Sequence, residues 1–188
     1  MIMTVSEKRK KRELDIISKL AKGGVMTAEQ LRKVNAGGLG NGGLRNVHRV
    51  LGEMERAGTV VSKRYDRKIY RLREKGGFGM WEHTLMRNDF LIEKGWFRAC
   101  RMEVPIKSAD GEIVMKADAG INILGKWNFL EVDRRQDFRA NREKIARYEQ
   151  MLDDGLKFDL WVVCYEERAD FWEEMKMKYG GSMKLWSK

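Results

Sequence analysis

Two neighbouring stretches of the chain read Lys116-Ala117-Asp118-Ala119 and Phe129-Leu130-Glu131-Val132-Asp133. Each lies in a run of apolar residues that predicts a strand, and a glycine-containing turn separates the two runs. Because side chains alternate along a strand, Glu131 and Asp133 point to one side while Leu130 and Val132 point into the core. The two stretches therefore predict a sheet in which Asp118, Glu131 and Asp133 converge from adjacent strands.

Three converging carboxylates repel one another unless a proton or a cation lies between them. Clusters made only of oxygen ligands suit Mg²⁺ or Mn²⁺. We therefore predict a metal site at Asp118, Glu131 and Asp133, of the kind that acts on phosphodiesters. The alternative is that these carboxylates are solvated ends of edge strands and that a lysine pairs with one of them.

The residues around these strands predict a mixed domain, α/β or α+β, over residues 78–188. Helical periodicity extends from Trp81 to about Lys94, from Phe138 to Leu152 and from Ala169 to Tyr179. Strand-like runs lie near Trp96–Ile106, Ile113–Ile123, Lys126–Asp133, Phe158–Tyr165 and Met183–Trp186. The order α-β-β-β-α-β, followed by one more α-β pair, predicts helices packed against a mixed sheet.

The charge of the chain is divided unevenly along its length. The 188 residues have a net charge of +10, and the whole excess of basic residues lies in residues 1–74. Residues 75–188 contain equal numbers of basic and acidic side chains. A basic module followed by a neutral one indicates that the first binds a polyanion and that the second has another task.

No targeting or membrane segment is predicted. The charged residues 6–12 lack the apolar stretch of a signal peptide, and the longest apolar run, Leu160–Tyr165, is too short to cross a bilayer. Cys100 and Cys164 lack the spacing of metal ligands, which predicts buried free thiols in a reducing compartment. We therefore expect a cytoplasmic protein that does not associate with membranes.

The basic module, residues 1–75, predicts three helices followed by a two-stranded ribbon. Apolar residues recur at helical spacing in residues 13–20, and Thr27 with Gln30 forms a capping-box pattern. The second helix covers Ala28–Val34, the third runs from about Leu44 to Ala57, and the strands cover Thr59–Tyr65 and Lys68–Leu72. This succession predicts a winged helix-turn-helix, joined to the second domain at Glu74–Gly79.

A winged helix-turn-helix binds double-stranded DNA with its third helix in the major groove and its wing along the phosphates. Arg45, His48 and Arg49 share the polar face of the third helix and are the candidates for base contacts. The candidates for phosphate contacts lie on the ribbon: Lys63, Arg64, Arg67 and Lys68. The alternative for the helix face is an ordinary solvated surface. The glycine-rich turn at 37–43 predicts a connector or a backbone approach to a phosphate.

Several local patterns are spread over nearly the whole chain: Ile69-Tyr70-Arg71-Leu72-Arg73-Glu74-Lys75-Gly76, His83-Thr84-Leu85, Ala117-Asp118-Ala119, Phe129-Leu130-Glu131-Val132-Asp133-Arg134 and Lys144-Ile145-Ala146-Arg147-Tyr148. In these patterns the chain resembles the replication-relaxation family of plasmid and mobile-element proteins. The resemblance implies a winged helix-turn-helix followed by a PD-(D/E)XK, restriction-endonuclease-like domain. It also implies an Mg²⁺- or Mn²⁺-dependent DNA endonuclease or nickase, related to the relaxases of plasmid mobilisation.

The resemblance assigns Asp118 and Glu131 to the catalytic carboxylates that bind the metal, with Asp133 as a third ligand. The chain departs from the nuclease pattern at two positions. Ala117 replaces the usual proline, and Asp133 stands where a lysine is expected.

A site of this kind also requires a cation that stabilises the developing negative charge. The resemblance implies that Lys144, on the following helix, supplies it, with Arg134 or Arg147 as substitutes. Tyr148 lies four residues further along the same helix face and is predicted to contact DNA.

Three functions remain open at this point. The first is a DNA-binding endonuclease or nickase of a mobile element. The second is a non-enzymatic DNA-binding regulator or accessory factor, whose degenerate nuclease fold serves for docking or for a homodimer. The third, an RNA-binding factor, is disfavoured because the chain lacks the exposed aromatic platform of single-stranded RNA readers.

Overall fold

A computed structural model describes residues 4–34, 43–108, 110–134, 137–179 and 182–188. The chain is a mixed α+β protein that divides into two compact units, Met1–Ile92 and Glu93–Lys188. The mixed class agrees with the prediction from the sequence. The glycine-rich turn discussed above falls almost entirely outside the described residues.

The first unit begins with three helices. They are α1 (Val5–Gly23), α2 (Ala28–Val34) and α3 (Gly43–Arg56). Helix α1 begins earlier than the apolar repeat at 13–20 predicts, because Thr4 and Glu7 form a capping box at its N-terminus. The predicted capping box of α2 is confirmed, since the Gln30 amide donates to Thr27 Oγ1 and the Thr27 amide donates to Gln30 Oε1, both at 3.1 Å.

Three short strands complete this part of the unit. Strands β2 (Val60–Arg64) and β3 (Lys68–Leu72) form the predicted antiparallel ribbon. Strand β1 (Met26–Thr27) was not predicted and pairs antiparallel with β3, so that the strand order is β1-β3-β2. A two-residue strand has too little periodicity to be recognised from the sequence.

Helix α4 (Trp81–Glu93) lies almost wholly in the first unit. Its Asn88 amide donates to the carbonyls of Gly23 and Val25, at 3.1 and 3.0 Å, and Arg87 donates to Gly23 at 3.1 Å. Gln30 of α2 donates in turn to the Leu85 carbonyl at 3.0 Å. The division at Ile92 therefore differs from the predicted joint at 75–78. Buried polar side chains of α4 satisfy the carbonyls at the end of α1, and such groups rarely go unpaired.

The second unit is built on one five-stranded sheet. Its strands are β4 (Arg101–Lys107), β5 (Ile113–Ile123), β6 (Lys126–Asp133), β7 (Phe158–Cys164) and β8 (Met183–Ser187), in that spatial order. Strands β4, β5 and β6 are antiparallel neighbours, whereas β6, β7 and β8 are parallel. The parallel half requires crossovers, which are made by α5 (Phe138–Asp153) and α6 (Ala169–Tyr179).

Both crossover helices cover the same face of this sheet. Right-handed crossovers that advance in one direction place their helices on one side. The core on that side joins β6 and β7 residues to α5 and α6 residues, among them Phe129, Val162, Ile145 and Trp172. Cys100 and Cys164 are both free and buried, as the sequence predicts.

Strand β6 is buried on both of its faces from Asn128 to Asp133. Leu130 and Val132 are buried as predicted, at 2% and 5% exposure. Glu131 and Asp133 are equally buried, at 4% and 2%, because α5 and α6 lie over their side of the sheet. The interpretation of these carboxylates as solvated strand ends is therefore wrong. Among the described residues, no helix is long and apolar enough to cross a membrane.

Candidate active site

Glu131 is the centre of a small polar cluster inside the second unit. Lys144 Nζ donates to its Oε2 at 2.6 Å, and the Tyr148 hydroxyl donates to its Oε1 at 2.7 Å. Lys144 and Tyr148 lie four residues apart on α5, so that one helix face presents both donors to the strand. Each carboxylate oxygen of Glu131 thus has a donor of its own.

Asp118 reaches the same cluster from β5. The pairing of β5 with β6 ends at Ala119 and Leu130, and beyond it the Val132 amide donates to Asp118 Oδ2 at 2.7 Å. The side chain of Asp118 thereby replaces a backbone acceptor of the ladder. This anchors its carboxylate on β6 near Glu131, and the structure brings together the first two predicted carboxylates.

The electrostatics of the cluster favour a proton on Glu131. Burial, and then the negative charge of Asp118, raise the pKa of Glu131 to about 7, against the opposing effects of Lys144 and Tyr148. Burial alone would lower the pKa of Lys144, but the Glu131 carboxylate outweighs it and the pKa is raised. Lys144 therefore carries its positive charge at neutral pH, beside an acid that exchanges its proton in that range.

Asp133 belongs to a different set of contacts. Its Oδ2 accepts from Asn141 Nδ2 at 3.0 Å, from Arg168 Nε at 2.7 Å and from Trp172 Nε1 at 2.7 Å. These donors come from α5, from the turn before α6 and from α6 itself. A carboxylate oxygen saturated by three donors inside the core ties the helices to the sheet. The prediction of Asp133 as a third catalytic ligand thus finds no support in the geometry.

Without Asp133, the carboxylates left to bind a divalent cation are Asp118 and Glu131. The described part of the chain contains no group of three or more histidine, cysteine or acidic side chains able to hold a metal ion. Mg²⁺, however, is often bound through only one or two carboxylates together with water and substrate phosphates. Asp118 and Glu131 supply two such carboxylates. The sequence predicted a third, Asp133, whose Oδ2 is instead hydrogen-bonded to Asn141, Arg168 and Trp172.

Tyr148 does not lie where the sequence placed it. The prediction of a DNA contact requires an accessible side chain, but Tyr148 is 2% exposed and packs among Phe129 and Phe158. Burial, followed by the charge of Glu131, raises the pKa of its hydroxyl well above the usual value. Tyr148 is therefore a buried hydrogen-bond donor to Glu131 and stays away from any DNA surface.

The basic residues predicted on α3 are all on its outer face. Arg45, His48 and Arg49 are exposed. Arg49 Nη1 is 2.7 Å from Glu53 Oε1, one helical turn further along. The opposite face carries the buried side chains of the core, including Val47, Val50, Leu51 and Met54. The exposure of the three residues meets the minimum requirement for a contact with DNA.

The predicted phosphate contacts on the ribbon are exposed as well. Lys63, Arg64, Arg67 and Lys68 lie at the end of β2, in the turn and at the start of β3. Lys68 Nζ is 2.9 Å from Glu55 of α3, and Arg67 is 3.2 Å from Asp66. The pairing of Lys68 with Glu55 was missed because Glu55 lies on another element, 13 residues earlier in the sequence.

The residues around Asp133 were also missed. Asn141, Arg168 and Trp172 each contact one carboxylate, but their spacing in the sequence has no recognisable period.

The backbone of Glu103 on β4 is constrained, since its φ of 50° is unusual for a strand residue. It falls opposite Asp118, between the paired residues Met102 and Val104.

The chain matches no protein-family model, and no curated protein matches it significantly. What the second unit can do chemically therefore follows from its own side chains. They provide two carboxyl groups, Asp118 and Glu131, of which Glu131 titrates near neutrality, and an adjacent ammonium group on Lys144. These are the groups that metal-assisted hydrolysis of a phosphodiester requires.

Proposed function

We propose that the chain is a DNA-binding protein of a plasmid or other mobile element with a metal-dependent endonuclease or nickase site. The proposal rests on one observation. Asp118, Glu131 and Lys144, which are far apart in the sequence, converge where β5 and β6 separate. In this proposal the second unit is a restriction-endonuclease-like domain, in keeping with the resemblance to the replication-relaxation family.

The topology of the second unit supports this proposal. Strands β4, β5 and β6 form an antiparallel meander, and α5 then leads to β7 in parallel register with β6. This is the β-β-β-α-β part of the core order expected for such nucleases. The acidic residues sit on the second and third strands, where the PD-(D/E)XK pattern requires them.

In this function Asp118 and Glu131 would hold the Mg²⁺ or Mn²⁺ ion. A bound ion of this kind polarises the phosphoryl oxygen and lowers the pKa of a bound water. Lys144 replaces the lysine missing at position 133, and its side chain is 28% exposed, which lets it reach a substrate oxygen. It stabilises the negative charge that develops on the phosphate.

Hydrolysis by water is favoured over attack by a tyrosine. Tyr148 is the tyrosine of this cluster, and its hydroxyl is buried, donates to Glu131 and has a raised pKa. A nucleophile needs access to the phosphate and an activated oxygen, and this hydroxyl has neither. We therefore expect no covalent link between Tyr148 and the DNA end.

The first unit would deliver the chain to double-stranded DNA as a winged helix-turn-helix. Its support is the outer face of α3 with Arg45, His48 and Arg49, and the basic ribbon formed by β2 and β3. The excess of basic residues in the same part of the chain supplies the electrostatic attraction.

The test is relaxation of a supercoiled plasmid in the presence of Mg²⁺ or Mn²⁺. The wild type is compared with Asp118→Asn and Glu131→Gln, which keep the size of each side chain. Asp170→Asn, an exposed position on α6, is the charge-matched control. We expect nicking by the wild type and the control and its loss in the two site variants. Absence of nicking with either metal, or equal nicking by all four proteins, would contradict the enzymatic proposal.

A second candidate is a non-enzymatic DNA-binding regulator, whose second unit serves for docking or homodimer formation. The observation in its favour is that both oxygens of Glu131 already have donors within the protein. It predicts sequence-specific DNA binding that is insensitive to chelators and unchanged in Asp118→Ala. Sedimentation of the wild type would test the homodimer separately.

A further inference from the structure

A cleft opens beside Lys144, between β5 and α5. It has a volume of about 330 Å³ and is lined by Met115, Lys116, Ala140, Glu143, Lys144 and Arg147. Three of the six side chains are cationic and one is anionic. Lys144 belongs both to this cleft and to the cluster around Glu131, so that the cleft leads directly to the proposed site.

The single acidic residue that lines the cleft, Glu143, forms an ion pair with a residue outside the cleft. Glu143 Oε1 is 3.1 Å from Arg139 Nε, one turn earlier on α5. Arg147 is one turn later on the same helix but does not share this pairing. Among the described residues, neither the Arg147 side chain nor the Lys116 side chain has a hydrogen-bond or ion-pair partner. The cleft thus presents two cations, Lys116 and Arg147, that no side chain in the described ranges neutralises.

We infer that this cleft binds the sugar–phosphate backbone of a nucleic-acid strand, with Lys116 and Arg147 as phosphate-binding residues next to the site. The inference rests on the proposed function for the identity of the ligand. Arginine and lysine donors bind phosphate oxygens well, and Arg147 can do so with two parallel hydrogen bonds. Cations on opposite walls of a cleft position a strand so that a phosphate lies at Lys144.

The residues that would position the strand are different from the residues of the proposed site. Lys116 is two residues before Asp118 on β5, and Arg147 is three residues after Lys144 on α5. Each exposed cation is therefore fixed to the same rigid element as a residue of the site. A strand held by Lys116 and Arg147 would be positioned relative to Asp118 and Lys144 by two elements of regular structure.

The test is binding of a 5′-phosphorylated thymidine dinucleotide to the full chain in EDTA, followed by NMR titration of backbone amides. We expect shift changes along residues 115–116 and 140–147. The double variant Lys116→Ala/Arg147→Ala should bind about tenfold more weakly or worse, because two charged hydrogen-bond donors are lost. The matched control is Arg142→Ala/Lys176→Ala, which removes the same charge from one exposed and one half-buried position, both outside the cleft.

Equal binding by the wild type and the cleft variant would overturn the inference, as would shift changes confined to the first unit. A milder variant, Lys116→Gln/Arg147→Gln, repeats the test with side chains of similar length. The result is independent of cleavage. If the cleft variants lose dinucleotide binding and the wild type shows no nicking, the cleft inference holds and the proposed nuclease function is contradicted. If the wild type nicks DNA in a way that depends on Asp118, but the cleft variants bind the dinucleotide as the wild type does, the nuclease function holds and the cleft inference is contradicted.

Discussion

Glu131 experiences opposing influences, and those that favour its protonated form prevail. Burial and the charge of Asp118 favour its protonated form, whereas Lys144 and Tyr148 favour the carboxylate. With a pKa of about 7, the side chain changes its charge in the range where most enzymes work. The same titration must affect the stability of the fold, because the unfolded chain releases this proton at a lower pH.

We expect Glu131→Gln to gain stability relative to the wild type as the pH rises from 5 to 8 in EDTA. The folded-state pKa of Glu131 is raised above the ordinary value of 4.5. Its contribution to stability is therefore complete below pH 4.5 and is lost as the pH rises through about 7, by an amount on the order of a few kcal/mol. Glutamine does not titrate, so urea unfolding of the variant should lack this loss.

The two proteins must be compared by the change of their unfolding free energy with pH, and not by its value at one pH. The variant also loses the ion pair with Lys144, which requires the ionised form of Glu131, so the absolute stabilities of the two proteins differ for more than one reason. Stability curves of the two proteins that run parallel between pH 5 and 8 would contradict a raised pKa of Glu131. Asp170→Asn serves again as the surface control.

Tyr148→Phe should reduce stability and leave DNA cleavage largely in place. The change removes one hydrogen bond to Glu131 from a buried position, which costs about 1–2 kcal/mol. It also withdraws an influence that lowers the pKa of Glu131, so the activity profile should move to higher pH. Complete loss of nicking in a folded variant would instead indicate that Tyr148 reacts with DNA.

At the level of secondary-structure elements, the Asp133 contacts hold β6, α5 and α6 in one arrangement. One oxygen accepts from Asn141 and Trp172, one residue from each crossover helix. Arg168 adds a charge that is largely buried, with 14% of its side chain exposed. The network therefore positions α5, and with it Lys144 and Tyr148, relative to Glu131.

Asp133→Ala should destabilise the second unit by about 3–5 kcal/mol. The loss would leave the Arg168 guanidinium and two buried donors without their acceptor, and an unpaired buried charge is costly. Asp170→Ala, an exposed change on α6, should remain within about 0.5 kcal/mol of the wild type. Chemical denaturation monitored by tryptophan fluorescence measures both. A small effect of Asp133→Ala would contradict the structural role.

On the first unit, α3 and the ribbon should differ in what they contribute to DNA binding. Arg45→Ala should weaken discrimination between DNA sequences, because a base contact carries sequence information. Lys63→Ala should weaken binding to all sequences alike and reduce the salt slope by about one. Binding isotherms at several salt concentrations separate the two. Identical behaviour of both variants would contradict the assignment of α3 to the major groove.

At the scale of the whole chain, α4 decides where the first unit ends. Asn88 and Arg87 satisfy the Gly23 carbonyl, and Gln30 pairs with Leu85. Leu85 also packs in a small core with Val25 and Ile69. Helix α4 is therefore a structural part of the first unit.

A fragment of residues 1–92 should fold cooperatively, whereas one of residues 1–76 should not. The shorter fragment exposes Val25 and Ile69 and leaves the Gly23 carbonyl without its side-chain donors. Circular dichroism during thermal unfolding distinguishes the two. Equal cooperativity and equal midpoints would favour the boundary at 75–78 that the sequence suggests.

Most helices and strands were predictable because each is signalled by residues within a few positions of one another. The bounds of β5, β6 and α6 coincide with the patterns at Ile113–Ile123, Lys126–Asp133 and Ala169–Tyr179. The capping box at Thr27 is equally local. By contrast, the short strand β1 acquires its conformation from pairing with β3, which is distant in the sequence.

The site was predictable only in part, for the same physical reason. Residue types and strand periodicity identify Asp118 and Glu131 as candidates, and the resemblance adds Lys144. The distribution of charge along the chain separates a basic module from a neutral one. Which carboxylate meets which donor depends on how α5 and α6 pack on the sheet. Folding pairs Lys144 with Glu131 across 13 positions and Trp172 with Asp133 across 39. Packing thus leaves Glu131 beside Asp118 in the site and commits Asp133 to the core.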